Sequence, residues 1–204
     1  MVVSGGTAPI ARGRVSWRRF AAIALPSLAA AAVLIVLTTQ SVLAVSFSIS
    51  GTPFTVTAKQ LKGRGFEQFG VLDTSVPKAL PGHKHLTMLA TNAIRSASLT
   101  DLCQSVTLGS LTLRITAGTG SRPVSATDLV VDADRLSGNA SFTNIEIGRD
   151  ASTLTQVPGV KGPPGDFGQQ AATVTITNLR QHAFATTAGT FTLPNFSLRF
   201  GGHC

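Results

Sequence analysis

His83 and His85 are separated by one residue, so on an extended strand both imidazoles fall on the same side and could ligate a metal. His203 and Cys204 supply two more donors later in the sequence. This spacing matches no compact zinc signature, and Pro81-Gly82 ahead of the histidines marks a solvated loop, so no metal is expected. Asp132, Asp134, Glu146, Asp150 and Asp166 stand too far apart for a calcium loop. Gly118-Thr119-Gly120-Ser121 can cradle an anion with its backbone N–H groups. No adjacent helix or lysine supports nucleotide binding there, and neither a phosphate loop nor a dinucleotide fingerprint occurs. A hydrolase of the α/β type would show Gly-x-Ser-x-Gly on a strand-to-helix elbow, and that pattern is absent. A Ser-His-Asp triad on another fold is a matter of geometry that composition does not reveal. His182, beside Ala183, reads as a surface or edge histidine. No catalytic residue and no cofactor is assigned.

Cys103 and Cys204 are the only cysteines. In an exported chain two cysteines most simply form one disulfide, the alternative being free or intermolecular thiols. The bond would close a loop of about 100 residues, worth about 4.7 kcal/mol by the chain-entropy argument, and would stop a terminal strand from fraying.

Whether the chain is exported turns on residues 20–37, eighteen residues without a charge. Arg12, Arg14, Arg18 and Arg19 precede them, and the first acidic residue is Glu67. A basic flank ahead of an apolar run directs that run into a membrane with its N-terminus in the cytoplasm. The run reaches the lower end of the roughly 17–25 residues that span a bilayer, and mild polarity allows a helix to continue to residue 45. Pro26 lies near its start, where membrane helices tolerate proline. Val42-Leu43-Ala44 equally forms a signal-peptide site, with cleavage after Ala44. Arg18-Arg19-Phe20 after Ser16 faintly suggests a twin-arginine export signal, with Trp17 intervening. The expected organisation is a basic cytoplasmic tail over 1–19, a transmembrane anchor or signal peptide over 20–44, and an extracytoplasmic β domain over 45–204.

Four of the seventeen cationic side chains precede residue 20, leaving thirteen against nine acids. They are scattered singly, and the sequence contains no tyrosine and one tryptophan, Trp17, so no nucleic-acid surface is expected. From Val45 onward period-two alternation recurs: Phe47 and Ile49 among serines, Phe54, Val56 and Ala58 among threonines, then Leu86, Met88 and Ala90. It returns in Leu111, Leu113 and Ile115, in Leu129, Val131 and Ala133, in Val174 and Ile176, and near Leu198 and Phe200. Gly63-Arg64-Gly65-Phe66 reads as a break and Gly138-Asn139 as a turn, Gly109-Ser110 as either the join of a strand pair or a shift of face within one strand, and residues 148–170 as one long Gly/Pro loop. Residues 92–102 are the nearest candidate for a helix but fit irregular structure equally well. Thr100-Asp101-Leu102, Thr127-Asp128-Leu129 and Thr177-Asn178-Leu179 echo one another, which suggests a recurring strand-turn unit. The fold class is therefore mainly β: an N-terminal transmembrane or signal helix, then one domain built as a curled or solenoid-like sheet, with a β-sandwich as the alternative. A curled sheet with one apolar face left open would form a trough for lipid acyl chains.

Several stretches together resemble an actinobacterial exported family known as domain-of-unknown-function family 6230. They are Arg18-Arg19-Phe20, residues 54–65, Leu102-Cys103-Gln104-Ser105, residues 142–150, Gly168-Gln169-Gln170 and residues 185–191. The resemblance covers nearly the whole chain. It implies a membrane-associated protein, often encoded beside a small multi-spanning membrane protein, and supplies no activity. Some members carry the label cholesterol esterase, which no residue here can be matched to. The expectation is a non-enzymatic cell-envelope protein that meets the membrane bilayer and binds a lipid or a membrane-protein partner. A lipid-active esterase and a self-associating surface protein are the alternatives.

Overall fold

Alternation of apolar and polar residues runs further along the chain than its glycines suggest, and the strands are correspondingly long. The computed structural model describes residues 52–75 and 85–204. Arg12, Arg14, Arg18, Arg19, the apolar segment 20–44 with its cleavage site after Ala44, and His83 lie outside the described residues. Among the described residues nine strands follow in order: β1 (Phe54–Ser75), β2 (His85–Thr100), β3 (Leu102–Leu108), β4 (Leu111–Ala117), β5 (Val124–Thr143), β6 (Glu146–Asp150), β7 (Phe167–Thr187), β8 (Thr190–Thr192) and β9 (Ser197–Phe200). A 3-10 turn, Ala151–Thr153, follows β6 and is capped by the Asp150 carboxylate, which accepts from Ser152 N. The domain is mainly β, as expected.

All nine strands belong to one sheet, with the order β6-β7-β5-β2-β1-β3-β4-β9 and β8 pairing β5. There is no division into the two sheets of a sandwich. Every pairing is antiparallel. β7 also pairs with β1 over residues 168–183, so β1, β2, β5 and β7 form a closed circuit of pairings. The arrangement is no simple barrel, because β6 on one side and β3, β4 and β9 on the other run past the circuit. The main core fills the curl and includes Leu61, Phe66, Ile94, Leu129, Val174 and Leu179. Each such side chain contributes about 1.5–3 kcal/mol when buried. The curl is thus packed over most of its length rather than left as an open trough.

A straight strand of 22 residues, the length of β1, would reach about 70 Å. These strands bend, and the bends explain the echoing tripeptides. Asp101, Asp128 and Asn178, the middle residues of the three echoes, all have positive φ, at 52°, 48° and 54°. Asn and Asp tolerate this left-handed geometry better than other residues with a Cβ. In β1 the same role falls to Gly65, at φ 66°. The register on either side of Gly65 is unchanged, so β1 passes straight through the expected break. Opposite it lies Arg95 of β2, and opposite Arg95 lies Asp128 of β5, so two of the bends are level on either side of β2. The repeat is therefore a repeated kink within strands rather than a stack of hairpins. Gly138-Asn139 is likewise no turn: β5 continues through it with shifts of register against β7. Residues 92–100 are strand, paired on both sides by β1 and β5. Gly109-Ser110 is a turn joining β3 to β4, so of its two readings the strand pair is the one the structure adopts.

Cys103 and Cys204 are bonded, with Cα atoms 5.7 Å apart. The bond returns the last residues to β3, and Cys204 N donates to Ser105 Oγ at 3.2 Å. Replacing both cysteines by serine should lower the unfolding free energy by up to about 4.7 kcal/mol, measured by urea titration against the oxidised wild type. Asn178 is exposed, so substitution there tests the backbone alone. Asn178→Val should destabilise by about 1–2 kcal/mol in the same assay, while Asn178→Gly should be neutral or stabilising.

Candidate functional site

Among the described residues the circuit opens between β2 and β5. β2 and β5 pair from Leu99 with Val124 as far as Ala90 with Ala133, and beyond that point they part. β2 continues against β1 alone, while β5 continues against β7. Register shifts in β5 between Asp132 and Ala133, Ala133 and Arg135, and Ser137 and Asn139 bow the strand at this fork. Bulges of this kind re-aim side chains and are common beside sites. A cavity of about 300 Å³ occupies the fork, at the lower end of the range typical of ligand pockets. Its apolar lining includes Phe66, Ala90, Ala133, Leu136, Phe142 and Ile176. Phe66 and Phe142 touch each other in this lining, with ring centroids 5.3 Å apart and planes tilted by 45°.

A row of amides crosses one wall. Gln68 of β1 lies directly opposite Asn92 of β2 and directly opposite Gln169 of β7. Gln169 Nε2 donates to Gln68 Oε1, and Gln68 Nε2 donates to Asn92 Oδ1. Asn92 Nδ2 then donates to the carbonyls of Ala90 at 2.9 Å and Val131 at 3.3 Å. The amides therefore hold three strands in register while presenting polar atoms to the cavity. Asp134 and Arg135 stand at the rim. Asp134 Oδ1 lies 2.7 Å from His182 Nδ1, and Arg135 Nε is 3.8 Å from the other carboxylate oxygen. His182 also packs edge-on against Phe184. An aspartate on one imidazole nitrogen is the orienting half of a triad, yet among the described residues no serine bonds His182.

The opposite face of β1 carries a second arrangement. Residues 151–165 lie over it, with Leu154 and Val157 fully buried and Phe69 packed against Ala151 and Leu154. Of residues 148–170, expected as one loop, the start belongs to β6 and the end to β7, and the part between makes this cap. Gln170 Oε1 accepts from Thr155 N at 2.8 Å, and Glu67 Oε1 accepts from Val157 N at 2.8 Å. Gly65 allows the close approach, since a Cβ there would sit 2.6 Å from Gln156 O. Glu67 is completely buried, and its Oε2 has no partner. Burial raises its pKa above the ordinary 4.5, against the opposing pull of the Val157 and Gln156 N–H groups and of Lys161 and Arg149.

Of the residues singled out in the sequence, the structure brings Cys103 to Cys204 and, as a pair that was not expected, Asp134 to His182. His203 is exposed, and among the described residues no three His, Cys, Asp or Glu side chains cluster as a metal site would require. The amide row, the pairing of Asp134 with His182, and buried Glu67 were not foreseen. The cross-strand amides have no local signature, because Gln68 and Gln169 are 101 residues apart. His182, taken from sequence as a surface histidine, is about one-third exposed at the rim.

The Glu67 geometry carries a pH dependence. A raised value in the folded state means that stability from this group is complete below 4.5 and is lost as pH rises through the raised value. Hydrogen exchange at Thr155 and Val157, corrected for intrinsic rate, should therefore show a cap that loosens as pH rises above 4.5. Glu67→Gln should flatten that profile. Glu67→Ala should cost about 1–3 kcal/mol at every pH, because the Val157 N–H loses its acceptor.

No curated protein and no solved structure matches this chain. A family model described as a family of unknown function, DUF6230, matches residues 50–204 and so takes in the circuit, the fork, the cap and the disulfide. The chain belongs to that family.

Proposed function

We propose that this is a non-enzymatic cell-envelope protein whose β domain, held outside the membrane, binds the apolar part of a lipid in the fork between β2 and β5. The observation that carries the reading is the cavity: an apolar floor around Phe66, Phe142 and Ile176, one wall of amides, and an ion-paired rim. Such a lining suits an amphipathic ligand, with apolar contact for its chain and few polar atoms to orient its head. The opening matters as much as the volume, because β2 and β5 leave the cavity open along the fork. A chain longer than the cavity can extend outward between the two strands. Support for the membrane setting comes from residues 20–44 and the four arginines before them, with retention as an anchor and release after Ala44 as the two outcomes of processing. A small multi-spanning membrane protein is the proposed partner for delivering or receiving the ligand.

A second reading, lipid-active esterase, is favoured by one observation, the 2.7 Å contact between Asp134 and His182 beside the cavity. The serine that His182 would activate is not among its partners, which is why binding is preferred. Native mass spectrometry of the full chain, purified from its envelope in gentle detergent, should show co-purified lipid. That lipid should be lost from Ala90→Phe, a variant that fills the fork, while the thermal midpoint of Ala90→Phe stays near wild type. Retention of lipid by the filled variant would remove the fork as the site. Hydrolysis of an ester that disappears in His182→Ala would move the assignment to the esterase.

A further inference from the structure

The three strands that run past the circuit expose an apolar tip. Val106 of β3 lies opposite Leu113 of β4, which lies opposite Phe200 of β9, and Leu108 lies opposite Leu111. Residues directly opposite one another share a face of the sheet, so these five side chains project to one side. Three of them are largely in water: Leu108 is 55% exposed, Leu111 59% and Phe200 68%. They cluster around the Gly109-Ser110 turn, and Gly201 N fastens the end of β9 to Thr112 O at 2.7 Å.

Charge on these strands is one-sided. Residues 102–122 and 188–204 contain no Asp or Glu, while Arg114, Arg122 and Arg199 lie within them. Arg114 and Arg199 are directly opposite each other across β4 and β9. Like charges so placed repel, and among the described residues neither guanidinium has a carboxylate within ion-pair distance. An anion is the missing complement. The two arginines stand three residues back from the leucines at the tip, on the other face of the strands, about 10 Å behind the turn.

The position of the tip identifies its occupant. Phe54, the first residue of β1, is level with Val106, so the apolar tip and the start of β1 are at the same end of the domain. In the sequence the apolar segment 20–44 precedes Phe54 by nine residues. We infer that the tip of β3 and β4, with Phe200, inserts into the interfacial region of an anionic lipid bilayer, while Arg114 and Arg199 meet lipid phosphates at headgroup depth. Leucine and phenylalanine at a loop tip, backed by arginines that reach the headgroups, are what such insertion requires. The inference rests on the membrane setting proposed above. It gives the tether a consequence: the domain is docked in one orientation, with the fork at a fixed place relative to the bilayer.

The test uses the full chain reconstituted in vesicles of phosphatidylglycerol and phosphatidylcholine with brominated acyl chains. Trp17 is the single tryptophan, so Trp17→Phe gives a dark background into which Leu108→Trp or Phe200→Trp is placed. Leu72→Trp is the comparison, since Leu72 is 66% exposed but lies eighteen residues along β1 from Phe54. Both tip variants should lose emission to the bromolipid and shift to shorter wavelength, with Leu72→Trp unaffected. Arg114→Gln with Arg199→Gln should reduce the quenching in phosphatidylglycerol vesicles and leave the residual quenching in pure phosphatidylcholine unchanged. If the chain floats with the vesicles but the tip variants are quenched no more than Leu72→Trp, the insertion is wrong and the anchor stands. If the chain does not float, the anchor fails by that separate readout. Tip quenching that appears only when a membrane protein is co-reconstituted would also overturn the proposal, in favour of a protein partner.

Discussion

β7 is hydrogen-bonded on both edges over most of its length, to β1 along one and to β5 along the other, and the rest of the domain depends on that double pairing. Without it the sheet would be an open, strongly twisted ribbon with its apolar face in water. With it, β1, β2, β5 and β7 enclose Leu61, Ile94, Leu129, Val174 and Leu179 and need no second sheet. Closing four long antiparallel strands on one another demands tight curvature. The chain obtains it by placing left-handed residues within or between strands, at Gly65, Asp101, Asp128 and Asn178. At Gly65, Asp101 and Asp128 the strand bends without surrendering its register, and at Asn178 the register to β1 is kept while β5 shifts on the other side. Gly63 makes room in the same way on the inner side, where a Cβ would sit 2.7 Å from Ile94 Cγ2 and 2.9 Å from Val174 Cγ1.

That mechanism explains what could be read from the sequence and what could not. Period-two alternation marks strands because burial of one face requires it, so the mainly β class was legible, as was the pairing of two lone cysteines. Strand ends were not legible, because glycine and asparagine have two meanings in such a chain. At Gly109-Ser110 they end a strand in a tight turn, whereas at Gly65 and Gly138 they bend a strand that continues. Only the partner strands decide between these outcomes, and partners such as β1 and β7 are separated by more than a hundred positions. The echo of Thr-Asp-Leu and Thr-Asn-Leu was visible as a pattern, but its meaning lay in a backbone angle. Glu67 shows the same limit. A lone acid among apolar residues reads as a surface group until the cap 151–165 is seen to cover it.

The cavity and the cap are two sides of one short piece of backbone. Alternation along β1 sends Phe66 and Gln68 toward the fork and Glu67 and Phe69 toward the cap. β7 answers in register, with Gln169 opposite Gln68 on the inside and Gln170 opposite Glu67 on the outside. The inner pair aligns the amides of the cavity wall, and the outer pair holds the backbone of residues 155 and 157. A buried carboxyl with an unpartnered oxygen is a poor choice for stability alone, since a hydrophobic residue of similar size would pack there without the desolvation cost. Its position, one residue from the amide row and on the same rigid strand, ties the closure of the cap to the geometry of the fork. A shift of the β1 backbone at Gln68 would be carried to Glu67, whose carboxylate holds the cap at Val157 N.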